Sequence, residues 1–308
     1  MSNRIGKASL KATNLIYHIA AIIVVAIWGG SFVWSRVLII DVGMNAVEIY
    51  IYRFLIAYLL IWPLSGGRLF AKSFFDELLL ALCGLCGGSI YFIAENYAVA
   101  FTTPSNVSLL TTLAPIFTVM LIGLFYKSER PSIWMWVGSV IAFAGVALIV
   151  FKNGFQFDIG SIGDMLAILA AFGWALYSLV LRKVDANYSA IFITRKTFFY
   201  GLITALPMFL LEPQTCSIER MLQWDALSNL LLLAVGASLL GYFVWSLTVQ
   251  KLGAIKASNY LYFQPIATMF ISALYFEDDP ITIIGCLGCM LIIGGVWFGE
   301  YMSRRAKP

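Results

Sequence analysis

The sequence predicts an all-α membrane protein: ten transmembrane helices arranged as two inverted five-helix repeats, with both termini cytoplasmic. Three observations carry this reading. The 308 residues are 61% hydrophobic and only 12% charged, with a mean hydropathy of +0.89, whereas soluble chains carry roughly 25% charge. Ten apolar stretches follow one another, each close to the roughly 20 residues a helix needs to cross hydrocarbon. The second five echo the first, and an odd-numbered unit that is duplicated must lie upside down relative to its copy.

The spans run in order. Leu15–Val37 follows Arg4, Lys7 and Lys11, which resembles the start of a signal peptide. Its apolar run is too long for one and lacks a small-x-small cleavage site before a soluble body, so it reads as a retained helix. Ala46–Leu64 carries Glu48 and Arg53, and Leu78–Ala98 carries Tyr91 and Glu95. Thr103–Phe125 contains Pro115, and Ile133–Phe151 closes the first half. Gly163–Leu181, with Trp174 and Tyr177, opens the second. Ala190–Leu211, Leu227–Val249, Ala254–Phe276 (with Pro265) and Ile281–Tyr301 complete it. The stretches are uniformly apolar rather than alternating, which favours helices over barrel strands. Little chain remains for a soluble domain.

Charge sets the orientation. With the N-terminus inside, 16 of the 20 basic residues fall in the cytoplasm, among them Arg68, Lys72, Lys127, Arg130, Arg182, Lys183, Lys251, Lys256, Arg304 and Arg305. Arg195 and Lys196, at the inner start of the seventh span, read as anchors reaching toward the headgroups. Only Arg36, Lys152 and Arg220 fall outside, while Arg53 lies within a span. The outer loops hold acids: Asp41, Asp158, Glu212, Glu219, Asp225 and Glu277-Asp278-Asp279. A miscount by one span would scramble the pattern. The net charge of +4 is therefore a topology signal and not a nucleic-acid footprint.

The internal echo is most distinct late in each half. Ala114-Pro115 matches Gln264-Pro265, and Gly138…Gly145-Val146 matches Gly288…Gly295-Val296, both at an offset of 150 residues. Trp28…Arg36 matches Trp174…Arg182 at 146, and Pro63 matches Pro207 at 144; small loop insertions produce such drift. The boundary falls in Lys152–Ile162, giving repeats of residues 1–152 and 153–308. A mid-helix proline frees the carbonyl four residues earlier, here those of Thr111 and Leu261. Both lie near the midplane, where a freed carbonyl needs a polar cavity or a neighbour. Thr111, Thr112, Asn259 and Gln264 cluster there, which makes Pro115 and Pro265 candidate kinks beside a binding site; a purely structural kink is the alternative.

Ten helices in two halves, together with Ala114-Pro115, Glu129-Arg130-Pro131, Trp136-Val137-Gly138 and Gly145-Val146, resemble the drug/metabolite transporter superfamily and, within it, the EamA-like exporters. The resemblance covers nearly the whole chain, though Glu277-Asp278-Asp279 replaces the Lys127-Ser128-Glu129-Arg130 of the first half. It implies export of amino acids and related metabolites. The stretch Ala171-Phe172-Gly173-Trp174-Ala175-Leu176-Tyr177 is similar to a bacterial branch that exports aromatic amino acids.

The candidate site combines rings and charges. Tyr91, Trp174, Tyr177 and Trp28 would hold a side chain, with Trp174 and Tyr177 at i,i+3 on one helix face; ordinary packing or an interfacial belt is the alternative. Intramembrane charge is rarer and more informative. Arg53 is the candidate for a substrate carboxylate, with Thr111, Gln264 and Asn259 as further substrate contacts. Glu95 and Glu48 are candidates for proton coupling, and either could instead pair with Arg53 structurally. Cys83-x-x-Cys86 and Cys286-x-x-Cys289 have metal-like spacing but lie in apolar helices without tight turns, so they read as packing residues and no metal or cofactor is expected. Cys216 stands apart in an outer loop. His18 reads as interfacial. Gly84 and Gly88 form a close-packing G-x-x-x-G, and the Gly138/Gly145 and Gly288/Gly295 pairs suggest that the fifth and tenth spans meet.

These features point to a secondary transporter in a bacterial inner membrane. It would export amino acids by alternating access, with lipids and substrate as its partners, either alone or as a weak homodimer. An exporter of hydrophobic cationic drugs or other metabolites is the alternative. No G-x-x-x-x-G-K-[ST] loop is present to drive transport with ATP. A membrane-embedded enzyme is remote, because one histidine and no HExxH or GxSxG leave no nucleophile–base pair. A channel or scaffold subunit fits the duplication poorly.

Overall fold

The computed structural model describes residues 2–101, 104–150, 162–275 and 281–306. The expected repeat boundary, Lys152, Asp158, Glu277-Asp278-Asp279 and Lys307 lie outside the described residues, as do the side chains of Arg4, Lys7, Lys11 and Glu129. When abutting pieces are joined, the described chain forms ten helical rods and no strand. They are α1 (Ser2–Ile40), α2 (Ala46–Ile61), α3 (Phe74–Phe101), α4 (residues 104–125), α5 (Ile133–Val150), α6 (Ile162–Val184), α7 (Ala190–Leu211), α8 (Trp224–Leu252), α9 (residues 254–275) and α10 (Ile283–Arg305). Six are long and apolar enough to cross a bilayer: Leu15–Ile40 of α1, α3, Val107–Phe125 of α4, α6, α8 and α10. The rest fall short for local reasons. The described part of α5 ends at Val150, with an apolar stretch of Ile133–Ile149, while α2 has 16 residues, α7 carries Arg195, Lys196 and Pro207, and α9 is made of three short pieces.

Glycine decides which helices meet. An added Cβ on Gly138 would lie 2.6 Å from the Gly295 carbonyl oxygen, and one on Gly145 would lie 2.6 Å from that of Gly288. The fifth and tenth helices thus pack backbone to backbone in antiparallel register, which small residues alone permit. The pairs are crossed: Gly138 faces Gly295, and Gly145 faces Gly288. The second helix of each half behaves similarly. Tyr50 of α2 meets Gly201 of α7, while Asn45, before α2, donates from Nδ2 to the Pro213 carbonyl, beyond the end of α7, at 3.2 Å. So α2 and α7 also run antiparallel, the arrangement expected of equivalent helices in inverted copies. Across the halves, α1 lies beside α9, where a Cβ on Gly29 would be 2.8 Å from the Gln264 carbonyl oxygen. A buried cluster including Tyr50, Phe54, Phe198 and Tyr242 joins α2, α3, α7 and α8.

Helical irregularities occur in matching places. α3 and α8, the third helices of the two halves, each contain a π-helical stretch, Leu85–Ile90 and Leu232–Leu240. Such turns are rare and free a carbonyl from the ladder. A carbonyl in each stretch accepts a bond from an aromatic side chain of the other half: Trp28 Nε1 donates to Ala237 O at 2.8 Å, and the Tyr242 hydroxyl donates to Gly87 O. The fourth helices match too. α4 breaks at Thr112–Leu113 and restarts at Ala114. α9 tightens to a 3₁₀ turn at Tyr260–Phe263 and restarts at Gln264. This corrects the expected mid-helix kinks. Pro115 and Pro265 each occupy the first turn of a restarted helix, where proline's missing N–H goes unused and its fixed φ is already helical.

Candidate functional site

The two restarts border a narrow cleft between the helices. Its walls come from α1 (Trp28, Ser31), α3 (Tyr91, Phe92, Glu95), α4 (Thr111, Ala114), α6 (Trp174) and α9 (Leu261, Gln264). Five rods from both halves therefore contribute. Its volume is about 10 Å³, room for about one water molecule. The rings close it. Trp28 and Trp174 meet edge to face at 5.1 Å, and Tyr91 lies 5.0 Å from Trp174. Thr111 and Leu261, which precede the two restarts, both line the cleft. The Thr111 hydroxyl donates to Val107 O at 2.9 Å, within its own helix. Gln264 donates from Nε2 to Trp28 O at 3.4 Å, tying α9 to α1.

Glu95 is 1% exposed. The Tyr91 hydroxyl, one turn earlier, lies in its electrostatic field, and its Oε1 has no hydrogen-bond partner. The indole Nε1 of Trp174 is likewise buried and unpaired. An orphaned buried polar atom is costly unless something else satisfies it, and the cleft wall carries two of them.

Arg53 sits behind this wall, fully buried. Its Nε donates to the Ser238 hydroxyl at 2.9 Å, and Ser238 belongs to the π stretch of α8. Its Cζ lies 4.3 Å from the centre of the Phe92 ring. Both terminal guanidinium nitrogens lack partners. Arg53 and Glu95 lie in each other's electrostatic field without a direct ion pair. A buried charge that is only partly satisfied is unstable unless a counter-charge joins it.

The structure therefore brings together Trp28, Tyr91, Glu95, Thr111, Trp174 and Gln264, with Arg53 immediately behind Phe92. Three expected residues stand elsewhere. Tyr177 is fully buried behind Trp174, packed on Gly87 and 5.8 Å from Tyr242. Asn259 lines a separate small cavity between α5, α9 and α10, with Ser139 and Tyr262. Glu48 caps α2: it accepts from the Asn45 N–H at 2.9 Å, while Asn45 Oδ1 accepts from its own N–H at 2.8 Å. It also accepts from the Thr215 N–H and hydroxyl and the Cys216 N–H. Those bonds occupy the carboxylate at the rim of the bundle, away from the cleft.

Sequence reasoning missed Ser31, Phe92, Ser238, Tyr242 and Trp245. Trp245 lies 5.1 Å from Trp28. The repeat could have located Tyr242 and Ser238, because Gly87…Ser89…Tyr91-Phe92 of α3 corresponds to Gly236…Ser238…Tyr242-Phe243 of α8. Phe92 and Ser31 carry no comparable signal.

Comparison with known proteins agrees with this architecture. A solved structure with a TM-score of 0.73 and 15% sequence identity superposes over 96% of this chain and 99% of its own, a likeness of fold. An uncharacterized transporter of Archaeoglobus fulgidus is 27% identical over 91% of this chain and 96% of its own length. A probable amino-acid metabolite efflux pump of Escherichia coli is 23% identical over 94% of this chain and 96% of its own. The model of the EamA-like transporter family matches twice, at residues 15–151 and 161–299. With nearly all of its length matched, this multi-pass membrane protein belongs to the EamA-like transporter family.

Proposed function

We propose that the protein is a secondary transporter that exports amino acids, aromatic ones among them, across the cytoplasmic membrane of a bacterium by alternating access. The observation that carries this reading is the pairing of unmet charges beside a ring-lined cleft. Glu95 Oε1 faces no donor, and the two terminal nitrogens of Arg53 face no acceptor. An α-amino acid brings an ammonium for the first and a carboxylate for the second, and charge-assisted bonds of that kind are strong in a low-dielectric site. Trp28, Tyr91 and Trp174 offer faces and edges to its side chain.

In this reading the rods are ten crossings, residues 1–152 and 153–308 are inverted copies, and both ends are cytoplasmic. Support comes from the antiparallel register of α5 with α10 and of α2 with α7, and from the basic bias of one set of loops. A cleft with room for about one water belongs to a closed form. Access then requires the halves to move apart on one side at a time, about the α4 and α9 restarts and the π stretches. Glu95 would take up a proton or the substrate ammonium in turn, coupling export to a gradient. The family match and the transporter names of the relatives support transport rather than an enzymatic reaction.

Counterflow of labelled amino acids in proteoliposomes, with and without a pH gradient, tests the proposal. Exchange accelerated by unlabelled phenylalanine or tyrosine on the far side is expected. Flux without such acceleration would indicate a channel, and no flux across a broad panel would sink the reading. A second reading, export of hydrophobic cations, is favoured by Glu95 amid aromatic faces, a setting that attracts cations. Competition by amino-acid amides as strong as by the free acids would favour it.

A further inference from the structure

A second cleft, roomier than the central one, lies away from it. It has a volume of about 330 Å³ and opens at the end of the bundle where α5 begins, α8 turns into α9 and α10 ends. Arg130, Lys256 and Arg304 line it, against the single carboxylate of Glu300. Arg304 already pairs with Glu300 at 3.2 Å, which among the described residues lining the cleft leaves no further carboxylate for Arg130 and Lys256. Ser132 and Ser303 add hydroxyls from facing helices, bonded to each other at 2.5 Å.

Depth identifies the partner. On α10, Trp297 and Tyr301 stack at 5.1 Å and are 63% and 38% exposed. They lie one to two turns before Arg304, and exposed aromatic pairs of this kind mark the level of lipid headgroups. Above them the exposed face of α10 is apolar, with Met290 and Ile293. A basic cleft between helices at headgroup depth has the chemistry to hold a lipid phosphate. We propose that this cleft binds a phosphate group, that of an anionic phospholipid, and that the bound lipid braces the seam between the halves where α5, α9 and α10 meet.

Thermal unfolding of the detergent-solubilised protein, with native mass spectrometry to count bound lipid, tests this. Phosphatidylglycerol should raise the melting temperature by several degrees more than phosphatidylcholine at equal mole fraction. Arg130→Gln with Lys256→Gln should remove at least half of that difference and of the bound lipid. Lys183→Gln with Lys251→Gln, which changes charges outside the cleft, should leave both unchanged. Inorganic phosphate alone is the other arm: if it reproduces the full rise, the occupant is a soluble phosphate and the lipid assignment falls. The proposal is overturned if the two lipids act alike, or if both double variants lose the effect equally. Should the cleft variant unfold on purification, Arg130→Lys with Lys256→Arg keeps the charge and must retain lipid binding in the mass spectrum.

Discussion

Two buried glutamates illustrate the difference between holding a membrane protein together and giving it something to do. Glu48 and Glu95 are 0% and 1% exposed, and each lies on a helix of the first half. Around Glu48 the rim of the bundle supplies donors from Asn45, Thr215 and Cys216, and both oxygens are used. Around Glu95 the cleft wall brings Tyr91 near and leaves Oε1 unmet. A satisfied carboxylate fixes two segments, the start of α2 and the loop after α7. An unsatisfied one beside a partly satisfied arginine is the feature on which the proposed substrate site rests.

The sharpest test separates the two by readout. Glu48→Ala leaves several rim donors without their acceptor and should destabilise the protein by about 3 kcal/mol, since each orphaned donor costs about 1–3 kcal/mol and water at the rim offsets part of the loss. Thermal unfolding reads this, and a melting temperature within a degree of the parent would break the comparison. Glu95→Gln should do the opposite, with folding within a few degrees of the parent and exchange reduced tenfold or more in counterflow. Intact exchange would remove Glu95 from the proposed cycle.

Arg53→Lys keeps a positive charge but gives up the fork that reaches both Ser238 and a guest, so it sharpens the contrast further. It should weaken competition by free amino acids several-fold while sparing their amides. Equal loss of both would reduce Arg53 to a structural role. Thr215→Val removes a single hydroxyl from Glu48, whose other donors remain. It should lower stability by only about 1 kcal/mol and leave exchange unchanged, and any change in substrate selectivity would mean the rim is not insulated from the cleft. Trp28→Phe keeps a ring in the cleft and deletes the bond to Ala237. Its effect on stability should also be near 1 kcal/mol, with a modest shift in preference among aromatic substrates in the competition assay.

Much of the architecture was legible in the chain itself. Apolar length and the segregation of Lys and Arg act through transfer free energies that depend on composition, so the helices and their order follow without knowledge of contacts. Glycines seven apart put a smooth stripe on one helix face, so the meeting of α5 with α10 was readable. Its crossed register was not, because an antiparallel seam pairs Gly138 with Gly295 rather than with its repeat equivalent. The prolines marked the right helices, yet whether each kinks a continuous rod or starts a new one depends on the turn before it, at Thr112–Leu113 and Tyr260–Phe263.

The site divides in the same way. Tyr91, Trp174 and Glu95 were foreseeable as rings and a charge at membrane depth. Trp174 and Tyr177 share a helix face by periodicity, but only packing places one on the cleft and the other against Gly87. Glu48 and Glu95 are the same residue type in similar apolar surroundings, yet the Asn45-x-x-Glu48 spacing ahead of an apolar run is a capping-box signal that was readable in the chain and that Glu95 lacks. Composition and periodicity thus determined the helices, their order and the predicted duplication, because those depend on transfer from water and on local steric fit. Which arginine nitrogens stay unpaired, which rings converge and which donors beyond the local Asn45 cap complete Glu48 was decided by tertiary structure, because those partners lie more than a hundred residues away along the chain.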